Sequence, residues 1–296
     1  MNTVQKCLLL CCILLWANAS FAQPQGKVIE EQTVKSSILK RNVKYTIYLP
    51  ADYETANRSY PVVYLLHGYT DDNTGWLQFG EINRYADKAI ANGTIPPMVI
   101  VMPNADSSWY INSYDGKEKY EDFFIKEFMP QIEKIYHIKA DKKYRGVAGL
   151  SMGGYGTLIY TIKYPQLFAA GAALSAAVFP DDQMMGMPDE NWDHVFAQLY
   201  GRGLKGKDRL NKAWQANSVL SMVQDKTTEQ LSSVRYWIDC GDDDFLTKGN
   251  CLLHIALMEK KVPHEFRVRD GAHTWTYWRT GITDALQFIG DSFRQK

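Results

Sequence analysis

Two rhythms alternate along this chain. Short runs are apolar at every position, as in VVYLL (62–66) and MVIVM (98–102), or at every second one, as in VKYTIYL (43–49). The first kind predicts strands covered on both faces, the second a strand with one face toward water. Longer stretches repeat their apolar positions every three or four residues. EDFFIKEFMPQIEKIY (121–136) does so with Phe124, Phe128, Ile132 and Ile135, which predicts a helix with one buried face. YRGVAGL (144–150), FAAGAAL (168–174), VRYWIDC (234–240) and HEFRVR (264–269) read as further strands. GYGTLIYTIKYP (154–165) reads as a helix that stops before Pro165. Two more helices are predicted over 248–261, with Leu252, Leu253, Ile255, Ala256 and Met258, and over 277–293.

Strands that alternate with helices imply an α/β class, with a mostly parallel central sheet and helices on both faces. The segment from about 178 to 230 breaks the rhythm. It is polar, rich in Met, Gly and Asp, and carries Trp192 and Trp214. It is expected to be an insertion of short helices over the carboxyl edge of the sheet, where active sites lie.

Residues 1–22 read differently. Lys6 is followed by the eleven-residue apolar run CLLLCCILLWA (7–17) and then by ANASFA. That order predicts a secretory signal cleaved after Ala22, because a spanning helix needs about 20 apolar residues. Residues 23–296 then form one domain, secreted or periplasmic. The 33 basic and 33 acidic side chains balance, so charge argues for neither nucleic acid nor an acidic membrane surface. Two of the five cysteines, Cys240 and Cys251, lie beyond the signal; they are expected to be buried thiols, with a disulfide between them as the alternative in an oxidising compartment.

The candidate chemistry begins at GLSMGGYGT (149–157). G-x-S-x-G is too short to decide by itself. Here a predicted strand runs into it and a predicted helix leaves it, which is the strand–turn–helix setting of a nucleophile elbow. Ser151 is then an exposed nucleophile, and the helix N-terminus offers free N–H groups to a developing oxyanion. A serine hydroxyl needs a base. His67, His137, His194, His254 and His264 sit before the serine, at a helix end, in the insertion, mid-helix and at a strand start. His273, in DGAHTWTYW, alone occupies a loop late in the chain after a strand, where the order Ser…Asp/Glu…His puts the base. The acid should lie between them, after a strand, and DCGDDDFL (239–246) offers Asp239, Asp242, Asp243 and Asp244. Spacing leaves all four open. The Met152 N–H should supply one oxyanion donor and the Tyr69 N–H, after Gly68 in VVYLLHGY, the second. His67 then has a positioning role. No H-E-x-x-H or C-x-x-C pair is present, and neither metal nor cofactor is expected.

Four pieces together, YLLHGYTDDNTGW (64–76), GLSMGGYGT, IDCGDDDFL (238–246) and GAHTWTYW (271–278), resemble secreted esterases of the α/β-hydrolase superfamily. That group includes feruloyl and acetylxylan esterases, with S-formylglutathione hydrolases, siderophore esterases and mycolyl transferases as relatives. The resemblance implies an α/β-hydrolase fold and a Ser-His-Asp esterase. It places the acid on Asp244, with Asp242 in reserve, and agrees on Tyr69 and Met152. It also implies an ester-bearing oligosaccharide or polysaccharide as substrate, with feruloyl or acetyl groups removed from xylan. A catecholate siderophore esterase and an acyltransferase of the same fold are the alternatives. Among 8 Trp and 18 Tyr, Trp76, Trp275 and Trp278 stand out as candidates to stack on a sugar or phenolic ring.

Overall fold

The computed structural model describes residues 25–294. The signal at 1–22 lies outside them. Eight strands form one sheet: β1 (Lys27–Lys35), β2 (Asn42–Leu49), β3 (Val62–Leu66), β4 (Val99–Pro103), β5 (Arg145–Leu150), β6 (Ala170–Leu174), β7 (Arg235–Gly241) and β8 (His264–Arg269). Their order is β1-β2-β4-β3-β5-β6-β7-β8. The six from β4 to β8 run parallel, and β2 and β1 add antiparallel at one edge. Every residue of β3, β4, β5 and β6 is buried, which is why their sequences are apolar or glycine apart from Arg145 at the start of β5. β1, KVIEEQTVK, escapes the apolar pattern. It is an edge strand with most positions exposed or half-buried, and its register shifts between Ile29 and Gln32.

Each face of the sheet carries its own core. One lies under the helical stretch 120–135 and the helices Met152–Lys163 and Thr247–Glu259. The other lies under the helices Ile82–Ala91 and Trp275–Arg294. The stretch 120–135 is not the uninterrupted helix that its periodicity predicts. A π turn, Phe124–Phe128, separates Tyr120–Phe123 from Met129–Ile135. Pro130 stands just after it and has no N–H to give to the ladder. Past the turn the face has rotated. Phe124, Phe128 and Ile132 are fully buried, while Ile135, expected on the same face, is 58% exposed.

The segment after β6 does hold short helices, as expected, yet it has a core of its own. Trp192, Phe196, Tyr200 and Trp214 are buried against one another. Arg209, also buried, donates to the carbonyls of Leu204, Met184 and Met187 and to Asp189. The later helix Val219–Asp225 packs on Met152–Lys163 and Thr247–Glu259, and so serves as part of the β6–β7 crossover. No helix among the described residues is long and apolar enough to cross a membrane. Cys240 and Cys251 are both free; Cys251, expected to be buried, is only half-buried, whereas burial pushes the Cys240 thiol up to about 12.

The N-terminal end of β5 is tied down by a buried ion pair. Arg145 donates through Nε and Nη2 to the two Glu133 oxygens at 2.6 and 2.9 Å, and through Nη1 to the Leu167 carbonyl at 2.8 Å. The Tyr64 hydroxyl donates to the same carboxylate. Glu133→Ala would leave the guanidinium buried without its counter-charge. Its unfolding free energy in urea should fall by about 3–5 kcal/mol. A fall below about 1 kcal/mol would mean that water compensates Arg145.

Candidate active site

Ser151 stands where β5 ends and the helix Met152–Lys163 begins, with φ 55° and ψ −116°. A non-glycine residue with positive φ is strained unless its surroundings hold it. Here the Ser151 N–H donates to the Leu174 carbonyl at 2.9 Å, and the Ser151 carbonyl accepts from Tyr155 and Ala177 at 2.9 and 3.0 Å. The helix must then pass directly against β3. A Cβ on Gly153 would lie 2.4 Å from the Leu66 carbonyl oxygen, so only glycine fits that approach. The Ser151 side chain does not cap the helix it precedes. Its Oγ is instead hydrogen-bonded to His273 Nε2 at 3.0 Å.

The rest of the hydrogen-bond chain comes from the loops after β7 and β8. His273 Nδ1 donates to Asp244 Oδ2 at 2.8 Å, and the Asp244 side chain is wholly buried. Burial alone would raise the Asp244 pKa. The His273 hydrogen bond and the Leu246 N–H, at 2.9 Å from Oδ1, outweigh it, and the net shift is downward. The other carboxylates of the quartet do different work. Asp239 is buried against Arg269 and the Tyr277 hydroxyl. Asp242 accepts the Gly271 N–H at 3.0 Å, and its own N–H donates to the Arg269 carbonyl. It thereby fixes the loop that carries His273. Asp243 is exposed. The His273 ring lies between Phe245, 4.7 Å away centroid to centroid, and the edge-on Trp278 at 4.8 Å.

The two candidate oxyanion donors flank the serine. Met152 opens its helix, where an N–H has no intrahelical partner. The Tyr69 N–H has no backbone acceptor among the described residues. Gly68 before it packs on Leu150, and a Cβ there would come within 2.7 Å of Leu150 Cδ1. His67 holds this loop. Its Nδ1–H donates to the Gly68 carbonyl at 2.8 Å, and its Nε2 accepts the Ala105 N–H at 2.9 Å. Both ring nitrogens are thus spent on backbone, which agrees with the positioning role read from the sequence. Burial lowers the His67 pKa to about 4.

A cleft of about 380 Å³ opens over Ser151 and His273, walled by Tyr69, Asp71, Phe79 and Trp275. Of the three tryptophans singled out from the sequence, only Trp275 is a partly open wall. Trp76 cannot touch a substrate. It is 1% exposed, donates Nε1–H to the Leu66 carbonyl, and braces Trp275 edge-on at 5.3 Å. Trp278 lines the cleft but is buried, tied to Ser175 Oγ at 3.0 Å, and braces His273. Sequence reasoning passed over Asp71, Phe79 and Phe245. Phe79, in GWLQFG, could have been noticed as an aromatic residue stranded at a helix end.

The displaced His67 pKa makes folding sensitive to acid. The unfolded chain takes up this proton near the ordinary ~6.5, and the folded chain only near 4. Between those values the unfolded state binds more protons, so stability falls as pH drops through the window. From this residue the loss between pH 7 and 4 should reach roughly 3 kcal/mol. Urea unfolding at several pH values should show a shallower decline for His67→Gln than for wild type; parallel declines would assign the effect to other groups.

Residues 36–289 match the Esterase family, described as "Putative esterase". An acetyl esterase of Caldicellulosiruptor saccharolyticus is 24% identical over 262 residues, covering 86% of this chain and 95% of that one. An endo-1,4-beta-xylanase/feruloyl esterase of Xylanibacter ruminicola is 32% identical over 198 residues, 64% of this chain but only 26% of that longer protein. Among solved structures, a ferulic acid esterase superposes with a TM-score of 0.77 at 34% identity, covering 91% of this chain and 99% of that one. These matches agree with the sheet order and with the cleft over Ser151: the chain belongs to the Esterase family, has the α/β-hydrolase fold, and is an ester hydrolase.

Proposed function

We propose that this ester hydrolase works through Ser151, His273 and Asp244, and removes feruloyl or acetyl groups from plant cell-wall xylan or its oligosaccharides outside the cytoplasm. The observation that carries the catalytic part is the unbroken hydrogen-bond chain from Ser151 Oγ through His273 to the buried Asp244. As Oγ attacks the ester carbonyl, His273 Nε2 takes its proton. The Met152 and Tyr69 N–H groups receive the oxyanion that forms. The proton then passes from Nε2 to the departing alcohol, and water repeats the sequence on the acyl-enzyme. Asp244 keeps Nδ1 protonated, so that Nε2 faces the serine as an acceptor, and stabilises the imidazolium during the transfer.

The substrate part rests on likeness and on the cleft. Relatives carry the names acetyl esterase and xylanase/feruloyl esterase. The cleft has about 380 Å³ of space, and Tyr69, Phe79 and Trp275 stand in its walls. The leader-like residues 1–22 suit a substrate met outside the cytoplasm.

Ser151→Ala should lower kcat by a factor on the order of 10⁴ or more. Asp244→Asn should cost about 10⁴, whereas Asp242→Asn, which touches only the loop, should cost far less. Circular dichroism would establish that each variant is folded, and a Ser151→Ala enzyme that retains a tenth of the wild-type rate would refute the nucleophile. For the substrate, release of acid from feruloylated arabinoxylan, acetylated xylan and a catecholate siderophore should favour one of the first two. Preference for the siderophore would overturn the carbohydrate reading.

A further inference from the structure

Proton transfer distinguishes the two flanks of the cleft. The alcohol that leaves must take its proton from His273 Nε2 and so lie within hydrogen-bond reach of it. Thr274 and Trp275 follow His273 in the cleft wall, Phe79 packs on Trp275 and Asp71 belongs to the same wall, so the leaving group is assigned to this flank.

Asp71 is otherwise unexplained on this flank. The neighbouring turn is built by Asp72, whose Oδ1 accepts from both the N–H and the hydroxyl of Thr74 at 2.7 Å. Asp71 receives one hydrogen bond, from the Asp72 N–H at 2.9 Å, and no cation pairs with it among the described residues. A carboxylate can accept about four. It is half-buried, and desolvation raises its pKa. The space it fills is reserved for it, because a Cβ on Gly75 would lie 2.1 Å from Asp71 Oδ2.

The aromatic wall is equally well fixed. Phe79 is 50% exposed, yet its carbonyl accepts from Arg279 at 3.1 Å. Its ring packs on Trp275 at 5.7 Å, and Trp275 is itself held edge-on between Trp76 and Trp278. A part-desolvated carboxylate beside a rigid aromatic face suits a sugar. Ring hydroxyls donate to the carboxylate, and the C–H face rests on the aromatic ring. An anionic leaving group would be repelled.

We propose that Asp71, Phe79 and Trp275 form the subsite for the glycosyl portion of the ester, gripping the sugar on the flank from which His273 protonates it. This rests on the carbohydrate-ester reading above. The test compares two esters of one acid: feruloyl-arabinose with methyl ferulate, or acetylated xylobiose with methyl acetate if acetyl is preferred. The readout is the ratio of kcat/KM for the sugar ester to that for the methyl ester. Wild type should favour the sugar ester, and both Asp71→Asn and Phe79→Ala should lower the ratio about tenfold or more. If wild type favours the sugar ester and both variants keep its ratio, whether their rates hold or fall equally, the subsite is overturned and the carbohydrate reading stands. A wild-type enzyme with no preference for the sugar ester overturns both.

Discussion

The left-handed backbone of Ser151 is the constraint on which the site depends. Holding a serine at φ 55° costs on the order of 1–3 kcal/mol. That cost is borne by the two strands beside β5. Leu174, at the end of β6, takes the Ser151 N–H, and Leu66, at the end of β3, leaves room for Gly153 and nothing larger. The parallel register of β3, β5 and β6 sets all three strand ends level. Because the turn is sharp, the hydroxyl is thrown clear of the helix it would otherwise cap. It is then free to meet an imidazole.

That imidazole arrives across 122 positions of chain, and the sheet is what shortens the distance. β7 and β8 run parallel to β5, so the loops after them emerge at the same edge. Asp242 then laces the two loops together through Gly271 and Arg269, and Asp244, two residues on, faces His273. On the opposite side His67 performs the same service for the Gly68–Tyr69 loop, anchoring it to Ala105 after β4. Each of these loops thus has a neighbour that spends its polar atoms on backbone alone.

Much of this was legible in the sequence for one reason: strands buried on both faces are built mostly from apolar residues, with polar ones such as Arg145 and Asp239 kept toward their ends. β3 through β7 declare themselves accordingly, and the strand–turn–helix around Ser151 follows. β1 and the helix Ile82–Ala91 did not declare themselves, since an edge strand tolerates Glu and Gln and the helix is mostly polar. Ile135 was misplaced because a π turn shifts the helical face without changing the letters before it. Asp244 could be chosen only by resemblance, because four nearby aspartates differ in what surrounds them and not in spacing. Trp76 shows the same limit from the other side. A tryptophan beside a site looks identical in sequence whether it faces the cleft or buttresses the residue that does.

The two histidines of the site show how partners, not proximity, assign a role. Both lie in loops at the carboxyl edge, and both are tied by two hydrogen bonds. His67 gives one nitrogen to a carbonyl and receives an N–H on the other. Neither partner can exchange a proton with it, and accepting one would set its protonated Nε2 against the Ala105 N–H. That frozen tautomer pins the Gly68–Tyr69 loop to the backbone after β4. His273 has a carboxylate on one nitrogen and a hydroxyl on the other. Among the described residues no backbone N–H faces its Nε2, and a carboxylate stands against its Nδ1. One imidazole is therefore held between two backbone groups and the other between a carboxylate and a hydroxyl, although the side chains are chemically identical.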